Sequence, residues 1–388
     1  MSATDRAPVV IVGASHAGVS AASELRAAGY AGPLMLVGAE SILPYHRPQL
    51  SKECLVGEMR EPAPIRPETF YSDRDIALRL GVEIDSIDRA TGELTCVGGE
   101  RIGYRSLILA TGARARALPS AIDGAERAHL LRNSGDRRRF AHALRHATSL
   151  VVVGGGLIGL EVAATARARG LAVTVVEAGP RLMARSLYPE IAQRVLEHHR
   201  AAGVDVRLNS QVHAIRDDRV ELSDRNAVAA DVVLASVGSA PRVALASDAG
   251  LACDDGIVVD AFGRTSAGDI LALGDCARWP EVGGTRRHES IAATAAQAKA
   301  VAAGLLGSAA PEIGPLKLWS NQGDLRVQMC GPVIESVSTR IEEVEGDGCV
   351  MRAYAGNRLA AVQALNAPWP FNAAIGEITR DIGTFADA

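Results

Sequence analysis

A chain of 388 residues is long enough for two or three domains, and 48% hydrophobic against 22% charged residues is the balance of a globular protein with a full core. Its formal charge of −4 speaks against a nucleic-acid coat or a polybasic membrane anchor. The six cysteines, at 54, 96, 253, 276, 330 and 349, form no C-x-x-C or other close pair, so neither a metal site nor a redox dithiol is expected, and the scatter suits a reducing compartment.

The opening MSATDRAPVVIV carries an acid and a base and lacks the longer apolar region of a signal peptide. No apolar run has the length of a membrane span free of charges and clustered glycines, so a cytoplasmic protein without a membrane role is expected. Residues 9–12 (VVIV) then read as a strand, followed by a helix near 17–29 and a strand at 34–38 (LMLVG). Residues 107–112 (LILATG) form another strand ending in a turn. The pattern repeats with VVVGGG (151–156), a helix to about 169, AVTVVE (172–177) and DVVLASVG (231–238). ILALGDC (270–276) precedes a long helix at about 289–305. Strands alternating with helices imply βαβ units and parallel sheets.

The order amounts to an internal repeat with the second unit inserted in the first. The expected architecture is α/β. One dinucleotide-binding domain spans 1–115 and 245–310, a second spans 116–244, and a small α+β domain covers 311–388. In that last part LKLWSNQGDLRVQMCG and CVMRAYAGNRLAAVQAL read as antiparallel strands closed by a helix near 372–380. RDDR (216–219) and EEVEGDG (342–348) read as hairpin tips, and DRRRF (136–140) as a solvated helix face.

Gly154, Gly156 and Gly159 make a G-x-G-x-x-G turn between strand and helix, where a pyrophosphate rests on a helix N-terminus. Glu177 closes the next strand, where a carboxylate accepts from both ribose hydroxyls and repels a 2′-phosphate; NADH is therefore expected over NADPH. Arg181 and Arg185 follow, either as a solvated helix start or as phosphate contacts. The first turn has Gly13 and Gly18 with Ser15 between them, and His16 is either a phosphate donor or a packed turn residue. Its nearest strand-end acid is Glu40. PYHRPQLSK (44–52) is a stiff loop carrying Arg47 and Lys52, suited to a pyrophosphate and an electron-rich ring, or simply a proline-rich surface loop. Asp275, beyond Gly274, can grip a polyhydroxy chain, which FAD has and NAD lacks. One unit is thus expected to hold FAD and the other to exchange NADH.

Taken in order, VVIVGASHAG, PYHRPQLSK, LILATGARARAL, GGGLIGLEVAA, VVLASVGSAPR, TSAGDILALGDCA, RHESIAATAAQAK and LWSNQGD resemble the FAD-dependent, NADH-using ferredoxin reductases of bacterial oxygenase systems. This is the group of putidaredoxin reductase and rubredoxin reductase, related in fold to glutathione reductase. The resemblance implies FAD held by Gly13, Ser15, His16, Ala17 and Gly18, by Glu40, Arg47, Lys52, Thr111, Gly112 and Arg132, and by Gly274, Asp275, Ile291 and Trp319. It implies NADH held by Gly154, Gly156, Leu157, Ile158, Gly159, Glu177 and Gly238. It also implies that Lys52 and Glu161 form the catalytic pair beside the flavin where hydride arrives, although Glu161 taken alone also reads as a solvated helix residue.

The partner implied is an acidic [2Fe–2S] ferredoxin or a rubredoxin feeding a monooxygenase or dioxygenase, with Arg286, Arg287, Arg326 and Arg352 as a candidate docking rim. The sequence departs from the family pattern at Ala39, Gln49, Arg242, Ala293, Asn321 and Gly323. Two alternatives stay open. One is an NADH oxidase or peroxide reductase, which needs a redox cysteine such as Cys54; the other is a redox-responsive NADH-binding flavoprotein resembling apoptosis-inducing factor.

Overall fold

The computed structural model describes residues 7–56, 61–281, 284–309, 311 and 313–382. The chain divides into two compact units: Met1–His46, Ala63–Arg114 and Ala240–Ile313 form one, and Arg47–Pro62, Ala115–Ser239 and Gly314–Ala388 form the other.

The first unit is organised by a five-stranded parallel sheet in the order Ile270–Ala272, Ser106–Leu109, Val9–Val12, Leu34–Gly38, Ile76–Leu80. Val9–Val12 is buried at every position, as a strand with both faces covered must be, so its pattern is continuous rather than alternating. Strand Ile270–Ala272 returns to the sheet edge beside Ser106–Leu109, with Ile270 opposite Leu107, so the intervening chain leaves this unit and comes back. A three-stranded meander, Ile84–Asp88, Glu93–Cys96 and Arg101–Gly103, occupies a stretch to which sequence reading assigns nothing. Its strands are short and the outer two are largely exposed, so they carry little hydrophobic signal.

The second unit contains a four-stranded parallel sheet in the order Asp205–Arg207, Ala172–Val176, Ser149–Val153, Val232–Ala235. It also holds the antiparallel sheet Lys317–Gln322, Leu325–Cys330, Arg358–Leu365, Gly348–Ala355, Ser338–Val344, with helix Pro368–Ile382 against it. The hairpin tip at 216–219 lies between Val212–Ile215 and Arg219–Leu222 as expected. The other expected tip is shorter than 342–348: strand Ser338–Val344 runs on until Val344 pairs with Gly348. The final helix begins earlier than 372 because Pro368 and Pro370 sit in its first turn, where no amide donor is needed.

Helix Ser134–Ala143 corrects the solvated-face reading of 136–140. Asp136 closes a capping box with Asn133, and Arg137 is only 7% exposed, with Nη2 3.0 Å from Glu61. Arg138 and Arg139 keep the expected solvent exposure. Among the described residues no helix is long and apolar enough to cross a membrane, and no group of three His, Cys, Asp or Glu side chains could hold a metal ion.

Candidate functional site

In the second unit, the chain turns at Gly154 with φ of 108°, and a Cβ there would lie 2.4 Å from the carbonyl oxygen of Ser236. Gly159 packs onto the same turn, since its Cβ would stand 2.4 Å from the oxygen of Gly154. Gly156 differs from both. Its backbone is extended (φ −88°, ψ −178°), and a Cβ would meet no protein atom within 4 Å. No steric demand within the protein accounts for glycine there. The space kept open faces the start of helix Leu157–Ala168, which no side chain caps, and this fits a pyrophosphate laid on the helix N-terminus.

Both carboxylate oxygens of Glu177 are held by backbone amides: Gly155 N donates to Oε2 at 2.7 Å and Gly179 N to Oε1 at 2.7 Å. The acid is thereby fixed at the strand end, and each oxygen keeps a second lone-pair direction for a ligand hydroxyl. Leu157 is half-buried, Ile158 exposed and Gly238 half-buried with φ of 100°.

In the first unit Gly13 and Gly18 repeat the two close approaches. A Cβ on Gly13 would stand 2.1 Å from the oxygen of Ala110, and one on Gly18 2.0 Å from the oxygen of Gly13. Ser15 takes the position matching Gly156, in extended backbone at the N-cap of helix His16–Ala27, and makes no side-chain cap bond. Ala17 is buried, and His16 packs its ring against His46 with centroids 5.5 Å apart. Glu40 accepts a 2.8 Å hydrogen bond from the Tyr45 hydroxyl.

The Thr111 hydroxyl donates to the oxygen of Arg242 at 2.7 Å, and Arg242 N donates to the oxygen of Gly112. This pairing uses only the backbone of Arg242, so the unusual side chain leaves it intact. Asp275 is half-buried in a tight helical turn, Gly274–Cys276, which Gln297 pins by accepting from Gly274 N at 2.8 Å. Ile291 opens helix Ile291–Leu306, and Ser290 caps it through Ala293 N. Ala293, one of the departures, is fully buried.

The remaining expected FAD contacts, Arg47, Lys52, Arg132 and Trp319, belong to the second unit. Arg47 Nη1 donates to the oxygen of Arg132 at 2.5 Å. Trp319 is 43% exposed on strand Lys317–Gln322. Lys52 follows the tight turn Arg47–Ser51, and its Nζ reaches Glu161 Oε2 at 2.6 Å and the oxygen of Pro48 at 2.9 Å. Glu161 is 7% exposed, which removes the solvated-helix reading. Its Oε2 also accepts from the Ser51 hydroxyl at 2.5 Å, and its Oε1 from the Ser320 hydroxyl at 2.8 Å. Thr165 and Arg169 donate to the oxygens of Ser51 and Leu55, which ties the loop to the helix bearing Glu161.

Sequence reading missed Ser51, Ser320, Gln322 and His199, all buried around this carboxylate. The only available signal was the strand pattern Trp319–Ser320–Asn321–Gln322, in which the polar residues Ser320 and Gln322 point inward.

All six cysteines are free, and burial pushes the Cys54 thiol up from its ordinary value. Cys54 is 2% exposed, so iodoacetamide at neutral pH is expected to leave NADH-dependent dye reduction intact; loss of activity on its alkylation would restore the thiol-reductase alternative.

Residues 7–300 match the family model of the pyridine nucleotide-disulphide oxidoreductases. The chain belongs to this family. It is 36% identical over 366 residues to the ferredoxin–NAD(+) reductase component of the p-cumate 2,3-dioxygenase system of Pseudomonas putida, covering 94% of this chain and 91% of that one. It is 38% identical over 370 residues to rhodocoxin reductase of Rhodococcus erythropolis, covering 93% and 86%. The putidaredoxin reductase in a covalent complex with putidaredoxin superposes with a TM-score of 0.90 at 34% identity, over 96% of this chain and 93% of that one. As a member of the family, the chain is an FAD-dependent oxidoreductase that uses a pyridine nucleotide.

Proposed function

We propose that this protein is the NADH-dependent reductase of an oxygenase system, passing electrons through FAD to a [2Fe–2S] ferredoxin or a rubredoxin. The observation that carries the reading is the Lys52–Glu161 pair: the loop after Arg47 delivers an ammonium to a buried carboxylate, and Cys54 beside it has no cysteine partner for a redox dithiol. FAD, when bound, accepts a hydride and releases electrons singly, which matches a nicotinamide donor to a one-electron acceptor.

The residues of the chain bind and orient. The turn at 154–159 seats the nucleotide pyrophosphate, Glu177 takes the ribose hydroxyls, and Lys52 with Glu161 aligns the nicotinamide end by position rather than by proton transfer. The turn at 13–18 and Asp275 hold FAD. Of the candidate docking arginines, Arg287 pairs with Glu289 and Arg352 with Glu342 and Glu377, while Arg326 stands exposed on the second unit. An acidic acceptor would therefore meet Arg326 more readily than Arg287 or Arg352. Such a protein works in the cytoplasm, where its nucleotide is found.

The test is cytochrome c reduction by the purified holoprotein with NADH or NADPH, with and without acidic [2Fe–2S] ferredoxins and rubredoxin. Reduction that depends on the added iron protein and favours NADH is expected. Brisk oxygen consumption with no such dependence would replace this reading by an oxidase. Glu177→Ala should lower kcat/KM for NADH by about 10- to 100-fold, the worth of hydrogen bonds to a charged group, and affect NADPH far less. An unchanged NADH/NADPH ratio would remove Glu177 as the selector.

A further inference from the structure

We propose that His199 is a positioning residue for Glu161, acting through Gln322 and Ser320 along a hydrogen-bond chain that runs in one direction. The inference deepens the role proposed for the Lys52–Glu161 pair and rests on it. Its members come from three elements of the second unit: helix Pro189–Ala201 carries His199, strand Lys317–Gln322 carries Ser320 and Gln322, and helix Leu157–Ala168 carries Glu161. His199, Ser320 and Gln322 are each no more than 1% exposed.

The direction follows from counting protons. Ser320 has one hydroxyl proton and gives it to Glu161 Oε1 at 2.8 Å, so its oxygen accepts from Gln322 Nε2 at 3.3 Å. That fixes the amide, leaving Gln322 Oε1 facing His199 Nε2 at 2.8 Å, and the imidazole must donate. Burial pushes His199 below its ordinary value, so at neutral pH the ring is neutral and the proton sits on Nε2. With the proton on Nδ1 instead, the amide would turn and set Gln322 Oε1 against the Ser320 oxygen, so that two acceptors contest one hydroxyl proton. Glu161 would then keep the two donors on Oε2, from Lys52 and Ser51, while the hold on its other oxygen weakens. A buried polar chain costs desolvation that apolar side chains would avoid, so its completeness up to Glu161 points to an orienting task.

Two measurements test this. In holoprotein labelled with [15N]histidine, the one of nine imidazoles whose signals vanish in His199→Phe should be the neutral Nε2–H tautomer; an Nδ1–H tautomer overturns the chain's direction. In stopped-flow reduction by NADH, His199→Phe should slow the step about tenfold, the worth of one hydrogen bond to a charged group, while His199→Gln, which keeps a donor, restores it to within about threefold. In a Glu161→Ala background His199→Phe should slow nothing further, which a merely structural role would not produce. Equal slowing in both backgrounds overturns the inference alone; a Glu161→Ala protein as fast as the parent overturns the proposed role of the pair itself. Should His199→Phe fail to fold, His199→Gln, which also lacks the imidazole, assigns the signal in the first measurement, and Gln322→Met cuts the same chain in the second.

Discussion

Gly156→Val is expected to leave the protein folded and yellow while raising the KM for NADH roughly 100-fold, the scale of loss that follows an ångström of misplacement. The extended backbone at Gly156 suits valine, and a Cβ there strikes no protein atom within 4 Å. The fold should lose only about 1 kcal/mol, from a poorer N-cap. What the side chain invades is the nucleotide's space. Gly154→Val makes the contrast. At φ of 108°, with Ser236 O 2.4 Å from the new Cβ, the turn cannot form, and little folded protein is expected. Equilibrium binding of NADH and thermal unfolding of both variants check the pair. If Gly156→Val binds NADH like the parent protein, the turn at 154–159 is not the nucleotide seat.

Glu161→Ala is the second large effect. NADH-driven flavin reduction should fall about 100-fold as the nicotinamide end loses its alignment. Stability should also fall, because Lys52 keeps only the Pro48 oxygen and a long contact to the Ser51 hydroxyl. Removing one member of a fully buried pair costs about 3–5 kcal/mol; the Lys52 side chain is 18% exposed and can reach water, so about 2 kcal/mol is expected here. Lys52→Met combined with Glu161→Leu removes both charges in similar volume. It should recover part of the stability, because the buried Ser51 and Ser320 hydroxyls still lose their acceptor, and none of the rate, which separates holding the loop from orienting the substrate. Denaturant unfolding and stopped-flow reduction read the two quantities. Parent-like reduction in both variants would leave the ion pair a structural clamp.

Three of the six departures from the family pattern are absorbed locally. Gly323 takes φ of 69° at the two-residue turn between strands Lys317–Gln322 and Leu325–Cys330, a conformation that glycine enters without strain. Arg242 acts through its backbone, and the Ala293 amide is taken by Ser290. None of these changes alters the two glycine turns or the carboxylate of Glu161.

The local code of this chain was legible in its sequence. Continuous β-branched runs ending in glycine name parallel strands and tight turns, because only a strand covered on both faces is apolar throughout and only glycine makes those backbone approaches. The two turns, the strand-end acid Glu177 and the antiparallel C-terminal strands follow from such short-range rules. Long-range pairing was not legible from periodicity. Periodicity alone left Glu161 open to a helix-surface reading, and its pairing with Lys52 was expected from the family resemblance, while Arg137 read as one of a solvated run until the fold supplied its partner. Ser51, Ser320, Gln322 and His199 lie far apart in the chain and carry no motif. Only tertiary structure could gather them, because a buried polar side chain is tolerated just where distant elements bring it a matching donor or acceptor.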